Sequence, residues 1–455
     1  MKDMLELKLH TNKAGCWSNF LSMPGFRKYF TNTSWLMAEK IFRSVILLVV
    51  SVYVVRYLGP DRFGLLSYAA SFVALFLPIA MLGMDEIVVR ELVKDGTRRN
   101  ELLGTAFFLK LTGAFFALAV LYVAVHLTSG DSFTNLLIFI IALSTVFQSF
   151  NVIDFYLQSK VLSKYVVYAN VASLTVSSFV KLFLVWTQAP LLYFAAVSLM
   201  ESMILAIGLL IIYSRQRLNI FEWNLRVKLA VRLLKDSWPL MLAGLAISIY
   251  MRIDQVMIKQ MLDTKAVGQY AAAVKLSESW YFIPVIVCSS LFPAVVNAKK
   301  QSEELYNARL QKLYSLMLWI AIPITVVMTL LASNIVHFLY GMEFSEAGSV
   351  LAVYSWASIF VFLGVASGKW YLVENLQFFS FINSVIGAVV NIALNLILIK
   401  KYGIIGAAWA TVISYGCAAY LLNFVYPKTR NNFYRLSRAF NILRVAQVLK
   451  RGIYE

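Results

Sequence analysis

Residues 34–58 read SWLMAEKIFRSVILLVVSVYVVRYL, an apolar run whose charges, Glu39, Lys40, Arg43 and Arg56, stand toward its two ends. A helix needs about 20 mostly apolar residues to cross the hydrocarbon core of a bilayer, and this run has the length. Eleven further runs follow it, at 65–89, 102–127, 133–157, 165–186, 190–213, 236–262, 266–294, 311–332, 347–370, 377–399 and 403–426. The chain of 455 residues is 60% hydrophobic with mean hydropathy +0.73, far above the apolar share of a soluble domain. The expected fold is an all-α polytopic membrane protein of about 12 transmembrane helices.

The net charge of +18 suggests nucleic acid until the positions of the cations are read. They alternate by loop. One side collects 29 basic residues from the N-terminal segment, the 90–101 loop, Lys160 and Lys164, the 214–235 segment, the 297–312 loop, Lys369 and the tail; the other holds only Arg56, Arg62, Lys259, Lys265, Lys400 and Lys401. By the positive-inside rule the rich side is cytoplasmic, with both termini there. No nucleic-acid partner is therefore expected. Residues 428–455 interleave bases with Phe433, Tyr434, Leu436 and Phe440, and read either as an interfacial helix on anionic lipid or as an orientation signal. Residues 1–30 hold no apolar core of signal-peptide length, and Ala14-Gly15-Cys16 lacks a hydrophobic lead-in.

A faint internal repeat divides the chain. Ser34-Trp35 opens the first span and Leu58-Gly59-Pro60-Asp61-Arg62-Phe63-Gly64 turns it into the second; Ser237-Trp238 opens the seventh and Leu262-Asp263-Thr264-Lys265-Ala266-Val267-Gly268 turns it into the eighth, offsets of 203 and 204. The expected organisation is a cytoplasmic segment 1–33, a six-helix bundle 34–213, a cytoplasmic linker 214–235, a second bundle 236–426 and a basic tail 427–455, with a central cavity between repeats that rock against each other.

These residues resemble a known family. The 58–64 turn, followed by Met81-Leu-Gly-Met-Asp-Glu-Ile-Val-Val-Arg-Glu-Leu92, is similar to the first spans of bacterial polysaccharide flippases, the Wzx-type O-antigen translocases. Arg252-Ile-Asp-Gln255, Val267-Gly-Gln-Tyr-Ala271, Leu339-Tyr-Gly-Met342, Asn391-Ile-Ala-Leu-Asn395, Lys401-Tyr-Gly-Ile-Ile-Gly-Ala-Ala408 and Ala410-Thr-Val-Ile-Ser414 look like the rest of that pattern. The resemblance implies the multidrug/oligosaccharidyl-lipid/polysaccharide exporter superfamily. It also implies a V-shaped cavity and a cargo of oligosaccharide on undecaprenyl pyrophosphate, moved from the cytoplasmic to the periplasmic leaflet of a bacterial inner membrane. Membrane lipids and other polysaccharide-assembly membrane proteins are the remaining expected partners.

Charges inside spans are costly, about 2.5–3.5 kcal/mol each on insertion scales, so they mark pathways or pairs. Lys40, Arg43, Lys110, Lys181, Arg252 and Lys275 are the candidate substrate-binding residues, because basic side chains grip phosphate oxygens. Glu201 and Asp254 are the candidate coupling acids. The spacing allows Glu39 with Arg43 and Lys275 with Glu278 to pair on one helical face, and permanent pairing of Glu201 or Asp254 with Lys181 or Arg252 stays open. Asn383, Gly387, Asn391 and Asn395 form a polar line that suits helix packing or a cavity wall.

No Asp-x-Asp motif or nucleotide-binding loop occurs, and His10, His126 and His337 are scattered without ligand spacing. Neither an enzyme, a metal site nor a cofactor is expected. A cation-coupled multidrug exporter of the same superfamily is the alternative, distinguished by acids rather than bases in its cavity; a membrane polysaccharide polymerase is a more distant one.

Overall fold

A computed structural model describes residues 24–128 and 131–441, with side chains from residue 34. Residues 1–23, with His10 and Ala14-Gly15-Cys16, and residues 442–455 of the basic tail lie outside the described residues. Every regular element among the described residues is helical. The first part of the chain comprises α1 (Pro24–Met81), α2 (Asp85–Lys94), α3 (Arg99–Leu127), α4 (Ser132–Phe147), α5 (Val152–Ser159), α6 (Ser163–Trp186) and α7 (Leu191–Arg215). The second comprises α8 (Val227–Met261), α9 (Thr264–Glu278), α10 (Phe282–Gln301), α11 (Glu303–Leu330), α12 (Ala332–Tyr340), α13 (Ser345–Tyr354), α14 (Ala357–Val373), α15 (Gln377–Gly416), a π turn at Cys417–Leu421, α16 (Leu422–Val425) and α17 (Pro427–Ala439).

Nine helical units among the described residues are long and apolar enough to cross a membrane, or ten if the pair Met342–Tyr354 and Ala357–Val373, bent by 46°, is taken as one span. The sequence count of twelve divides two of these units, 34–94 and 377–425, at Gly59 and Gly403. There the backbone takes φ of 66° and 59° inside what is otherwise continuous helix. A side chain is strained in that left-handed region and glycine is not. Pro60 then starts the next helical stretch with its φ already set.

The apolar side chains form three large cores with a telling layout. The first spans both parts of the chain, joining Val54, Leu58 and Phe63 of α1 to Ile258 of α8, Val267 and Tyr270 of α9, and Leu351 of α13. The other two lie apart. One gathers Met84, Val88, Leu103, Leu157, Leu209 and Leu233, and the other Leu310, Met317, Phe362, Trp370 and Leu436. The chain is thus fused at one end and divided at the other, where the basic loops lie.

Backbone contact makes the fusion tight. A Cβ on Gly64 would sit 1.9 Å from the Thr264 carbonyl oxygen, and one on Gly268 would sit 1.9 Å from the Pro60 carbonyl oxygen. These are the repeat-related turns, crossing so closely that only glycine fits on either side. Ser71 Oγ donates to Gln255 Oε1 at 2.9 Å just below the crossing.

The segment expected as a linker is docked. Helix α8 begins at Val227, earlier than the expected 236, because Leu229, Ala230, Leu233 and Ser237 recur at helical spacing and are buried. Ahead of it, the Asn224 amide donates to the Asn100 carbonyl and the Arg226 amide to Thr105 Oγ1. Ion pairs join Arg90 to Asp236, Arg232 to Glu91 and Arg226 to Glu101. Exposed pairs of this kind contribute at most about 1 kcal/mol each, so backbone bonds and Leu233 do more to seat the segment.

Gly268→Ala is expected to force the crossing apart. Overpacking of this kind costs about 1–3 kcal/mol. Ser67 lines a cavity beneath the crossing; in membranes carrying Ser67→Cys, labelling of that position from the fused side should rise several-fold with Gly268→Ala, and unchanged labelling would show that the turns do not form the barrier.

Candidate functional site

Beneath the crossing lies a cavity of about 480 Å³. Its walls include Val50, Ser67, Ser71 and Ala74 of α1, Lys181 of α6, Ser198 of α7, Arg252 and Gln255 of α8, and Ala271, Lys275 and Glu278 of α9. Three of the six candidate basic residues therefore meet there. Arg252 Nη2 lies 3.3 Å from Glu278 Oε2, a pair between α8 and α9. Arg252 and Asp254 stand two apart on a helix and point to different sides, so Arg252 takes its partner from the neighbouring helix.

The expected pair of Lys275 with Glu278 does not form, because Arg252 occupies the carboxylate. Lys275 pairs with no carboxylate among the described residues; its exposed side chain faces the cavity, with Nζ 5.9 Å from the Phe63 ring centroid. Lys181 Nζ lies 3.4 Å from Glu201 Oε2 across α6 and α7. Glu201 is thus engaged as the partner of a cavity cation. Counting these three cations against Glu278 and Glu201 leaves one positive charge in excess at the site.

The other three basic residues are placed differently. Arg43 Nε pairs with Glu39 Oε1 at 3.1 Å on the same helical face, and Lys40 beside it is exposed. Lys110 is 1% exposed, pairs with Asp85 Oδ1 at 3.3 Å and lies 4.7 Å from the Phe155 ring centroid. None of Lys40, Arg43 and Lys110 lines the cavity just described. Burying an ammonium is tolerable when a carboxylate and an aromatic face offset its lost hydration, which is the environment Lys110 has.

Asp254 sits in a second, enclosed polar cluster. It is 3% exposed. Asn395 Nδ2 donates to its Oδ1 at 2.6 Å, Tyr270 O–H donates to its Oδ2 at 2.7 Å, and the Thr411 hydroxyl donates to the same oxygen. Asn395 also donates to Asn391 Oδ1 at 3.0 Å, and Asn391 Nδ2 donates to Ser414 Oγ at 3.3 Å. Among the described residues Asp254 has no basic partner, and Asn395 Oδ1 is buried without a hydrogen bond. A carboxylate so placed is expensive as a bare anion and stable when a proton or a small cation accompanies it.

The polar line of α15 splits in two. Asn391 and Asn395 serve Asp254, whereas Asn383 Nδ2 donates to Tyr371 O–H, which donates to Asn423 Oδ1. Between them Gly387 leaves room for Tyr250 and Ala418. Tyr270 and Thr411 were not among the candidate residues. Both stand in the stretches that carry the family resemblance, and nothing in their spacing from Asp254 shows that they meet it.

Comparison with known proteins agrees with this architecture. An inward-facing multidrug resistance MATE family transporter of the MOP superfamily superposes with a TM-score of 0.70 at 13% identity, covering 88% of this chain and 96% of that one. The lipid II flippase MurJ, in an inward closed conformation, superposes with a TM-score of 0.66 at 17% identity, covering 90% and 91%. At this identity the likeness concerns the fold. In sequence, a probable low-salt glycan biosynthesis flippase of Haloferax volcanii is 28% identical over 186 residues. The match spans 39% of each chain, about two fifths of that relative's length. Residues 30–299, more than half of the chain, match the polysaccharide biosynthesis protein family, and the chain belongs to that family.

Proposed function

We propose that this multi-pass membrane protein is a flippase for an oligosaccharide unit of the O-antigen class carried on undecaprenyl pyrophosphate. The unit moves from the cytoplasmic to the periplasmic leaflet of a bacterial inner membrane, with both termini in the cytoplasm. The observation that carries this reading is the cationic cavity: Lys275 faces it without a carboxylate partner among the described residues, beside Arg252 and Lys181. Ammonium and guanidinium groups in a partly desolvated cleft suit the oxygens of a pyrophosphate. A drug-cation exporter would be poorly served by them. The volume of about 480 Å³ falls within the usual range for drug-sized ligands, so it suits a headgroup with its first sugar, the remaining sugars extending into the cleft between the separate cores.

Two six-helix halves, 34–213 and 236–426, would alternate around the crossing of Gly64 with Gly268. Lys40 and Arg43 lie nearer the start of α1 and would meet the headgroup before Arg252 and Lys275 do. Lys110, held by Asp85, is assigned a supporting role in the same half. Asp254 is the coupling group: its enclosed shell of Asn395, Tyr270 and Thr411 donors, with no basic side chain among the described residues, supports reversible binding of a proton or a small monovalent cation. Glu201 would act through Lys181, orienting a cavity cation. The likeness to MATE transporters keeps drug export as the alternative reading.

The charge role separates from the structural one in a double variant. Arg252→Gln with Glu278→Gln removes the pair without stranding either charge, so folding should survive. In a bacterium lacking its own O-unit flippase, the wild type should restore surface polysaccharide. The double variant and Lys275→Gln should each lose it by about tenfold or more, with lipid-linked repeat units accumulating. Full rescue by both variants at matched expression would overturn the cavity assignment.

Asp254→Asn preserves size and removes the charge; its amide oxygen can still accept from Asn395, while the Tyr270 and Thr411 hydroxyls turn to accept from the new NH2. In proteoliposomes, flipping by the wild type should accelerate under an imposed proton or sodium gradient, and the variant should run at the ungraded rate under both. Retention of gradient dependence by the variant would place the coupling group elsewhere.

A further inference from the structure

Helix α17 is absorbed by nothing above. It follows the last span after a single extended residue, Tyr426, at φ −92° and ψ 131°. Its inner face is built into the protein. Thr429, Asn432, Leu436 and Ala439 are buried at spacings of three and four residues. Asn432 accepts from Tyr314 O–H at 2.6 Å and donates to Asn423 Oδ1 at 3.0 Å; Gln311 Nε2 donates to the Arg435 carbonyl at 3.1 Å, and Thr429 Oγ1 donates to the Asn423 carbonyl at 2.8 Å. Polar groups satisfied this fully in a core fix one geometry. The helix is a rigid platform rather than a trailing tail.

Its outer face has one chemistry. Lys428, Arg430 and Arg438 are exposed, the helix contains no acidic residue, and none of these three pairs with a carboxylate among the described residues. Arg430 caps the Phe424 carbonyl and lies 5.2 Å from the Phe424 ring centroid. Phe424, Tyr434 and Phe440 are exposed beside the cations. Cations interleaved with aromatic rings, at the end of a span and on a helix held by its docking face, match the headgroup layer of an anionic bilayer.

We propose that the outer face of α17 binds anionic phospholipid headgroups and anchors the end of the last span to the bilayer surface. The partner is the membrane itself. Charge complementarity selects it: unpaired cations attract lipid phosphates, and the rings at the same level suit the interface. An acidic protein would satisfy the charges but has no use for exposed phenylalanines at the foot of a span. The inference is independent of the cargo, since it concerns neither the cavity nor Asp254.

The test uses full-length protein in nanodiscs of pure phosphatidylcholine or of phosphatidylcholine with phosphatidylglycerol, read by hydrogen exchange at residues 427–439. Each basic residue at an anionic surface contributes about fivefold in affinity, so the three together supply roughly hundredfold. Phosphatidylglycerol should slow exchange in α17 about tenfold or more, and high salt should abolish the effect. Lys428→Gln, Arg430→Gln and Arg438→Gln combined should remove the lipid dependence while leaving exchange in phosphatidylcholine unchanged. Asn432→Ala is the separate control for docking: it should speed exchange in both lipids. Equal exchange in the two discs would overturn the proposal, as would a lipid effect that survives the triple variant or protection that appears only on adding polyglutamate.

Discussion

Two helices can approach until backbone meets backbone only where both lack a side chain, and the crossing of Gly64 with Gly268 is such a place. Much of the architecture follows from it. The turns at Gly59–Pro60 and Leu262–Thr264 are drawn together, one apolar core spreads across both parts of the chain, and the remaining apolar surface divides into two cores that do not merge. A cavity is the geometric remainder, bounded above by the crossing and flanked by α1, α6, α7, α8 and α9.

Helix α8 ties the two polar sites together. Arg252 looks into the cavity and Asp254, half a turn on, into the closed cluster formed with α9 and α15. Because a helix turns as a body, any change in the hydration or charge of Asp254 that shifts α8 also moves Arg252 and the Glu278 carboxylate bound to it. The physical economy is that the expensive groups are few and grouped. Arg43, Lys110, Lys181 and Arg252 each have a neighbouring carboxylate, Asp254 has a shell of donors and Lys275 has a cavity to face, as the cost of leaving a charge bare demands.

The candidate site was legible in its chemistry more than in its pairing. Arg43 with Glu39 could be read from a four-residue spacing, and it is found. Lys275 with Glu278 could be read from a three-residue spacing, and Arg252 takes that carboxylate instead. Local spacing offers a partner, but a residue on a neighbouring helix competes for it, and the winner depends on how far the two helices are rotated. The start of the next helix shows the same limit: the apolar run starts at 236, whereas the helix begins at Val227, where Leu229 and Leu233 give it a buried face and Thr105 accepts from the Arg226 amide.

Hydropathy and charge are sums over neighbouring residues, so the sequence by itself determined that the chain is helical, apolar and membrane-spanning, that it turns between runs at 58–64 and just before 403, and which loops are basic. The surroundings of Asp254 are another matter. Its donors Asn395 and Thr411 lie 141 and 157 residues away along the chain, and no periodicity links positions so distant. Only the tertiary structure decided that they converge, because packing of α8 against α9 and α15 sets the rotation of each helix and therefore which polar side chains share one dry pocket.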